Sequence, residues 1–236
     1  MTVKVNKTLE VMADIQNQII SGRLKPLDKL MPLRDLAKEY QASRSVINSV
    51  IHVLSAKGYV TVRPRQGVIV NDIFESGTID VINDIYFSDN IGLKSQIVKD
   101  VLSSRMMAEI EAIRQIIHKE KVDFTNLDLI VNKEVNWLEQ KDREIDVLCE
   151  LDHQFHAELV SLSCNKVLKL LYISFQYIEK SLIRKFYINL EFPKRVIDSH
   201  SNLIIALKAK NQDVAEKIWI DLLKEGEKET LNKLNR

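Results

Sequence analysis

The chain has 236 residues, 45% of them hydrophobic, and is therefore long enough for two domains with buried cores. Its net charge of +1 excludes a uniformly basic protein, yet residues 1–72 carry 11 Lys and Arg against 6 Asp and Glu, whereas the remainder carries 23 against 27. A basic module followed by a mildly acidic one is typical of a nucleic-acid reader with a separate sensing or assembly domain.

The sequence also limits the cellular setting. The two cysteines have no paired spacing, so neither a disulfide framework nor a zinc ribbon is indicated. The first residues lack the apolar run of a secretion signal, and no stretch approaches the roughly 20 apolar residues of a membrane span. We expect a cytoplasmic protein without a membrane partner.

Residues 34–57 predict a helix-turn-helix that follows a first helix ending near residue 20. A short amphipathic helix, 34–40, is followed by a turn in which Ser43 is the N-cap of a second helix, about 44–57. The second helix has one apolar face, formed by Ile47, Val50, Ile51 and Leu54. Arg44, Ser45 and Asn48 then point outward and can reach base edges in a major groove.

Residues 59–70 predict a two-stranded wing. The β-branched runs 59–62 and 68–70 flank a basic turn that contains Arg63, Arg65 and a glycine, Gly67, where a hairpin needs a positive φ. Two arginines beside a recognition helix suit phosphate or minor-groove contact. The alternative is an ordinary surface hairpin.

The rest of the chain predicts an all-α bundle. Residues 73–78 form a short connector without helical periodicity, so the predicted domains are 1–72, with a linker at 73–78, and 79–236. Glycine and proline are scarce after this linker, which favours an antiparallel helical bundle with short connections. The predicted helices lie near 78–88, 93–120, 126–140, 144–162, 166–188, 193–209 and 212–234.

One predicted helix places a carboxylate and an imidazole on the same face. Asp152 and His156 are four residues apart beside an apolar stripe, and His200 lies near the start of a later amphipathic helix. If these helices pack antiparallel, the three side chains converge as a first shell for a divalent transition metal such as Zn, Mn or Ni. The alternative is that both histidines are hydrogen-bonded core residues.

Arg105 and Glu109 form a second pair at this spacing. Such a pair is usually a solvated surface bridge. The alternative is that Arg105 turns into the bundle, where its guanidinium would favour an anionic effector such as a carboxylate.

These motifs together resemble the GntR transcription regulators, and within them the FCD branch. The N-terminal resemblance covers about residues 9–70 and rests on segments 19–24, 30–37, 43–47 and 54–60 together with Gly67. It implies that Arg34 and Arg44 contact the operator and that Gly67 lies at the wing tip. Asn48 stands where the family usually has Arg, and Pro32-Leu33 replaces the usual Ser-Glu, so the operator sequence is expected to differ.

The C-terminal resemblance covers about residues 80–230. It implies that Asp152, His156 and His200 are metal ligands and that Arg105 and Asn165 contact an effector. The family usually adds one more His, 22 residues beyond the match to His200; here that position is Leu222. The resemblance therefore implies either a weaker site completed by water or effector, or a more apolar pocket.

The sequence thus predicts a mainly α protein, a winged helix-turn-helix followed by an all-α effector-binding and dimerisation domain. We expect a homodimeric, metabolite-responsive repressor that reads a short palindrome in double-stranded DNA and binds a small carboxylate. The rivals are a metal-dependent hydrolase that uses Asp152, His156 and His200, and a purely structural helical partner protein. No separate nucleophile or general-base signature supports the hydrolase, so we do not expect an enzyme.

Overall fold

The computed structural model describes residues 7–187 and 193–234, and almost all of its regular structure is helical. The order of elements is α1 Lys7–Ile20, α2 Leu33–Glu39, α3 Arg44–Ala56, β1 Val60–Arg63, β2 Gly67–Val70, α4 Ile73–Ser76, α5 Asp80–Phe87, α6 Ile91–Ile117, α7 Thr125–Glu139, α8 Ile145–Leu162, α9 Lys166–Ser174, α10 Gln176–Tyr187, α11 Pro193–Lys208 and α12 Gln212–Leu234. The chain divides into two compact units, one ending at Ile97 and one beginning at Val98. The mainly α fold class is confirmed.

The first unit contains the expected winged helix-turn-helix. Helices α1 and α2 both pack on α3, whose apolar face is buried as its periodicity predicts. The Ser43 hydroxyl caps α3 by accepting a hydrogen bond from the backbone N–H of Val46 at 3.2 Å. Packing on one side and a fixed N-terminus leave the opposite side of α3 facing solvent.

The wing is an antiparallel hairpin. Val60 pairs with Val70 and Arg63 with Gly67, and Val60, Val68 and Val70 face the core. Both Arg65 (φ 64°) and Gly67 (φ 100°) adopt left-handed backbone at the turn. The conformation expected for Gly67 is confirmed, and the wing tip presents its side chains to solvent.

Residues after the wing differ in two ways from the sequence-based expectation. The connector contains one helical turn, α4, because the Asp72 side chain accepts a hydrogen bond from the backbone N–H of Phe74. The sequence analysis assigns helix α5 to the second domain, whereas in the structure α5 belongs to the first unit, where hydrogen bonds hold it. Its Asp84 accepts hydrogen bonds from Gln16 at 2.8 Å, Lys57 at 2.8 Å and Tyr59 at 3.1 Å.

The second unit is all-helical from the later part of α6 onward. Its largest core cluster combines side chains from α6, α7, α8, α11 and α12, with Phe155 and Trp219 fully buried near its centre. The segment expected to be one helix, 166–188, is two: α9 and α10 are separated at Phe175, which caps α9 outside the α-helical region. Both α9 and α10 contact α8.

Candidate functional site

The exposed side of α3 presents the side chains expected to read bases. Arg44, Ser45 and Asn48 are all exposed, and Ser43 adds a hydroxyl contact with Ser45 at 2.8 Å. No carboxylate of the described chain forms an ion pair with Arg44 within 4.0 Å. This side of α3 is polar and exposed to solvent, as insertion into a major groove requires.

Two further exposed arginines lie on the wing. Arg63 ends β1 and Arg65 lies in the following turn, and both guanidinium groups face solvent. On α2, Arg34 is also exposed, and its Nε lies 3.6 Å from Asp35. A Cβ added to Gly67 would lie 3.0 Å from Cε of Lys29. Glycine at this position therefore permits both the close approach of the Lys29 side chain and the positive φ.

The second unit brings the three predicted metal ligands together. One ligand atom from each of Asp152, His156 and His200 lies within 4.8 Å of the others, and all three side chains are buried. Helix α8 places Asp152 and His156 one turn apart, and α11 supplies His200. The Asp152 Oδ1 atom lies 3.9 Å from Nε2 of His156 and 3.7 Å from Nε2 of His200.

Buried carboxylates orient both imidazole rings. Nδ1 of His156 lies 2.9 Å from Glu109 Oε2, and Nδ1 of His200 lies 3.0 Å from Glu134 Oε2. If each Nδ1 carries the proton, it donates to its carboxylate and the Nε2 lone pair faces Asp152. This carboxylate–histidine arrangement is the one that commonly fixes metal-binding imidazoles.

The free Nε2 atom of His200 is the observation that tests the site for a metal. It is a buried polar atom without a hydrogen-bond partner, whereas Asp152 accepts a hydrogen bond from Tyr187 at 2.9 Å. Burial by itself lowers the pKa of His200, but Glu134 and, more weakly, Asp152 and Glu109 raise it above its ordinary value. One carboxylate and two oriented imidazoles therefore fit a divalent transition metal.

A small cavity opens beside Asp152 and His156. Its volume is about 60 Å³, several times the roughly 10–15 Å³ that one water needs. Arg105 and Glu227 contribute charge, whereas most of the wall is apolar and includes Leu222. Leu222 is one of these wall residues, so the position at which the resemblance implies a fourth ligand carries an aliphatic side chain.

Arg105 is buried, which agrees with the interpretation in which its side chain turns into the bundle and disagrees with a solvated surface bridge. Its Nε lies 2.8 Å from Glu109 Oε1 and its Nη2 lies 3.3 Å from Glu179 Oε1, with 12% of the side chain exposed. Burial acts to lower the Arg105 pKa, but these two carboxylates raise it well above its usual value. The guanidinium is therefore already neutralised by two partners at the edge of the cavity.

The structure places Asn165, the second predicted effector contact, at the start of α9. It is the N-cap of α9, where its side-chain oxygen accepts hydrogen bonds from the backbone N–H groups of Val167 and Leu168, each at 3.1 Å. It does not line the cavity that Arg105, Asp152 and His156 share. The asparagine follows the end of α8 and caps the N-terminus of the next helix.

Comparison with known proteins gives two consecutive matches. Residues 7–70 match the family model described as bacterial regulatory proteins, gntR family, and residues 100–225 match the FCD domain. The second match alone covers more than half of the chain. The chain belongs to the GntR family. It is a GntR transcription regulator with an FCD domain, so the predicted family is confirmed.

Individual relatives of this GntR chain are also regulators. The HTH-type transcriptional regulator LutR of Bacillus subtilis is 31% identical over 64% of this chain and 65% of its own length. The galactonate operon transcriptional repressor of Escherichia coli is 18% identical over 93% of this chain and 94% of its own. The matched family and both relatives are described as regulators and not as enzymes.

Solved structures share the fold of this GntR chain. A structure titled as Lar, which controls the agr system of Listeria monocytogenes, has a TM-score of 0.62 and 18% identity over 98% of each chain. A GntR family member from Pseudomonas syringae has a TM-score of 0.50 and 19% identity over 97% of this chain and 86% of its own. Within the described residues, no helix is long and apolar enough to span a membrane.

Sequence reasoning missed several buried groups of this GntR chain. Glu134 holds His200, yet it was not singled out, although a carboxylate within an apolar helical stripe is a usable signal. His153 is also buried, and its Nδ1 lies 3.1 Å from Oε2 of Glu179. Trp219 donates from Nε1 to Glu109 at 2.7 Å, a contact between distant helices that no local pattern shows.

Proposed function

We propose that this chain is a homodimeric repressor that binds a short palindromic operator and releases it when a small carboxylate enters the second unit. The observation that supports DNA reading is the capped α3, whose polar side is exposed next to a basic wing. Repression is the proposed direction because one relative that aligns over nearly the whole chain is described as an operon repressor. Two copies related by a two-fold axis would place two recognition helices on two half-sites.

Base reading is assigned to the N-terminal half of α3. Arg44 can contact a guanine with two hydrogen bonds, and Ser45 and Asn48 can contact adjacent bases from the same exposed side. Arg63 and Arg65 on the wing, together with Arg34 on α2, would contact phosphates or the minor groove. The wing and α2 thus supply affinity, whereas α3 supplies sequence preference.

A divalent transition metal is assigned to Asp152, His156 and His200. The support is the donor set, the two carboxylate-oriented rings and the unpartnered Nε2 of His200. When bound, Zn, Mn or Ni would act as a Lewis acid that attracts the oxygen atoms of a carboxylate. Three protein ligands would leave a coordination position open for such an oxygen, since Leu222 offers none.

The paired state of Arg105 refines the expected effector contact. Because Glu109 and Glu179 already neutralise this guanidinium, it would orient a ligand rather than supply an unpaired positive charge. The carboxylate would then be held through the metal site, with its carbon chain against apolar wall residues such as Leu182, Ile183 and Leu222. A small effector with an apolar part fits this wall and the modest volume.

The decisive experiment selects operators from a random duplex library with the purified chain and measures affinity by fluorescence anisotropy. The proposal expects enrichment of a palindrome, tight binding of that duplex and a loss of at least about 1,000-fold with a shuffled duplex. Small carboxylates with apolar chains, tested with added Zn, should weaken binding of the selected duplex. Equal affinity for selected and shuffled duplexes would contradict the regulator proposal.

A further inference from the structure

The second unit contains an open groove in addition to the cavity at the proposed metal site. The groove lies between α7, α8 and α9, has a volume of about 490 Å³ and shares no lining residue with the cavity beside Asp152 and His156. Its apolar wall consists of Leu129, Ile130, Ala157 and Ile173. Small-molecule sites usually have volumes of roughly 300–1,000 Å³, so this groove is large enough to hold a metabolite.

Two buried aromatic side chains form the floor of this groove. His153 is 8% exposed and Tyr172 is 5% exposed, and their rings lie nearly parallel with centroids 6.2 Å apart. Both residues line the groove, so their rings offer flat surface to whatever enters it. A ligand with a flat aromatic body suits such a floor, because aromatic rings pack well against one another.

One ring nitrogen of His153 is available to a ligand. Nδ1 lies 3.1 Å from Oε2 of Glu179, and Glu179 is itself held by the Tyr172 hydroxyl and by Nη2 of Arg105 at 3.3 Å. In the neutral imidazole, Nδ1–H donates to this carboxylate and Nε2 keeps a lone pair. Nε2 forms no hydrogen bond with any residue that the structure describes. A hydroxyl or N–H group of a ligand in the groove can therefore donate to Nε2.

The charges around the groove favour a ligand with one negative charge. Lys133 on α7 and Lys169 on α9 are exposed, and neither forms an ion pair with a carboxylate in the described part of the chain. Glu150 also lines the groove, but Lys180 lies 2.9 Å from it and neutralises it. Glu158 is then the remaining negative charge of the lining. Two unpaired lysines against one unpaired carboxylate leave one positive charge in excess, which attracts a monoanion.

We propose that this groove is a second small-molecule site, which binds an aromatic monocarboxylate with a hydroxyl or N–H group at the end opposite its carboxylate. The donor group would hydrogen-bond to Nε2 of His153, and the ring would lie against Tyr172 and the apolar wall. The carboxylate would lie near Lys133 and Lys169. This site needs no metal, and its assignment does not depend on DNA reading.

The test titrates three related compounds into the purified full-length chain and measures binding by ligand-observed NMR. The probe is para-hydroxyphenylpropionate. Phenylpropionate lacks the hydroxyl donor, and para-propylphenol lacks the carboxylate. We expect the probe to bind with a Kd at or below about 1 mM, and each analogue to bind at least about fivefold more weakly. EDTA is present throughout, so that a metal at the first site does not contribute to binding.

Two sets of variants locate the bound probe. Lys133→Gln combined with Lys169→Gln changes only exposed side chains and should weaken the probe at least about fivefold, while para-propylphenol binds as before. His153→Phe keeps a flat ring without its nitrogens, so the probe should lose its advantage over phenylpropionate. Lys99→Gln on α6 is the matched control, because it removes an exposed positive charge outside the groove and should leave probe binding unchanged.

Circular dichroism and thermal melting identify the variants that retain the fold, and the lysine variant keeps the test decisive if His153→Phe does not fold. Selective binding of the probe that the folded lysine variant loses and Lys99→Gln keeps supports the site. Equal affinities for the three compounds, no measurable binding of the probe, or wild-type affinity in the folded lysine variant overturns it.

Discussion

Glu109 joins His156 to Arg105 in the buried centre of the second unit. One carboxylate oxygen lies 2.9 Å from Nδ1 of His156, and the other lies 2.8 Å from Nε of Arg105. Burial acts to raise the Glu109 pKa, but its contacts with His156 and Arg105 lower it to about 2. Glu109 is therefore a carboxylate at neutral pH, and it links the proposed metal site to the cation at the cavity edge.

Removal of one imidazole should abolish metal binding. His156→Ala removes one of three protein ligands, and we expect wild type loaded with Zn to retain about one equivalent after dialysis whereas the variant retains less than about a tenth. Elemental analysis measures the content. Excess Zn should also raise the melting temperature of wild type only, since a ligand at 100 times its Kd contributes about 2.7 kcal/mol.

His118→Ala is the matched control for this measurement, because His118 is exposed and its Nδ1 lies 2.8 Å from the backbone carbonyl oxygen of Arg114, away from the three predicted ligands. This variant should retain metal as wild type does. Retention of Zn by His156→Ala, or no Zn in loaded wild type, contradicts the metal assignment.

Glu134 should act as a positioning residue for His200. Glu134→Gln keeps an oxygen that can accept the Nδ1 proton but removes the charge, so we expect metal affinity to fall by about 10- to 100-fold with the fold intact. Competition with a chelating dye gives the affinity. Glu150→Gln, at an exposed carboxylate paired with Lys180, serves as control. Equal metal affinities for Glu134→Gln and wild type would show that His200 needs no such support.

Leu222→His should convert the site into a four-ligand site. Leu222 lines the cavity with Asp152 and His156, so an imidazole placed there can reach the metal and occupy the open coordination position. We expect metal to bind at least about 10-fold more tightly, and carboxylates to lose their effect on duplex binding. Dye competition and anisotropy measure the two effects. A variant with unchanged metal affinity would place Leu222 outside the coordination sphere.

The sequence predicted local features well and distant partnerships poorly. The α3 N-cap, its buried face and the positive φ of Gly67 follow from residues a few positions apart, and the structure confirms them. The convergence of Asp152 with His156 and His200 was predicted from helical spacing together with an assumed packing, and the structure confirms it. Each of these features depends on short-range periodicity or on a few buried faces.

Other features required three-dimensional information. Glu134 is 66 positions from the histidine it orients, and nothing in the local pattern identifies its partner. The break between α9 and α10 falls within a continuous helical periodicity, so the packing of both halves on α8 decides it. Asn165 was assigned through family resemblance alone, and its local geometry as an N-cap was available in the sequence but not used.

Arg44 should contribute sequence preference. Arg44→Ala is expected to weaken binding to the selected palindrome by about 1–3 kcal/mol and to relax the preference at one base pair of each half-site. Anisotropy with duplexes substituted one base pair at a time measures both quantities. Arg143→Ala, in the connection between α7 and α8, should leave affinity unchanged. A uniform loss over all duplexes would indicate that Arg44 contacts phosphate instead of a base.

Arg65 should contribute affinity without sequence preference. Its backbone φ is 64°, a region that Asn tolerates better than Ala, so Arg65→Asn removes the charge with little strain at the wing. We expect weaker binding to palindromic and shuffled duplexes alike, and a slope of log affinity against log salt that is smaller by about one unit for each lost phosphate contact. Titrations at several salt concentrations give this slope. Lys133→Asn is the control, because it removes one positive charge from α7 of the second unit, outside the predicted DNA-binding residues. An unchanged slope for Arg65→Asn, with wild-type affinity, would show that the wing turn makes no ionic contact with DNA.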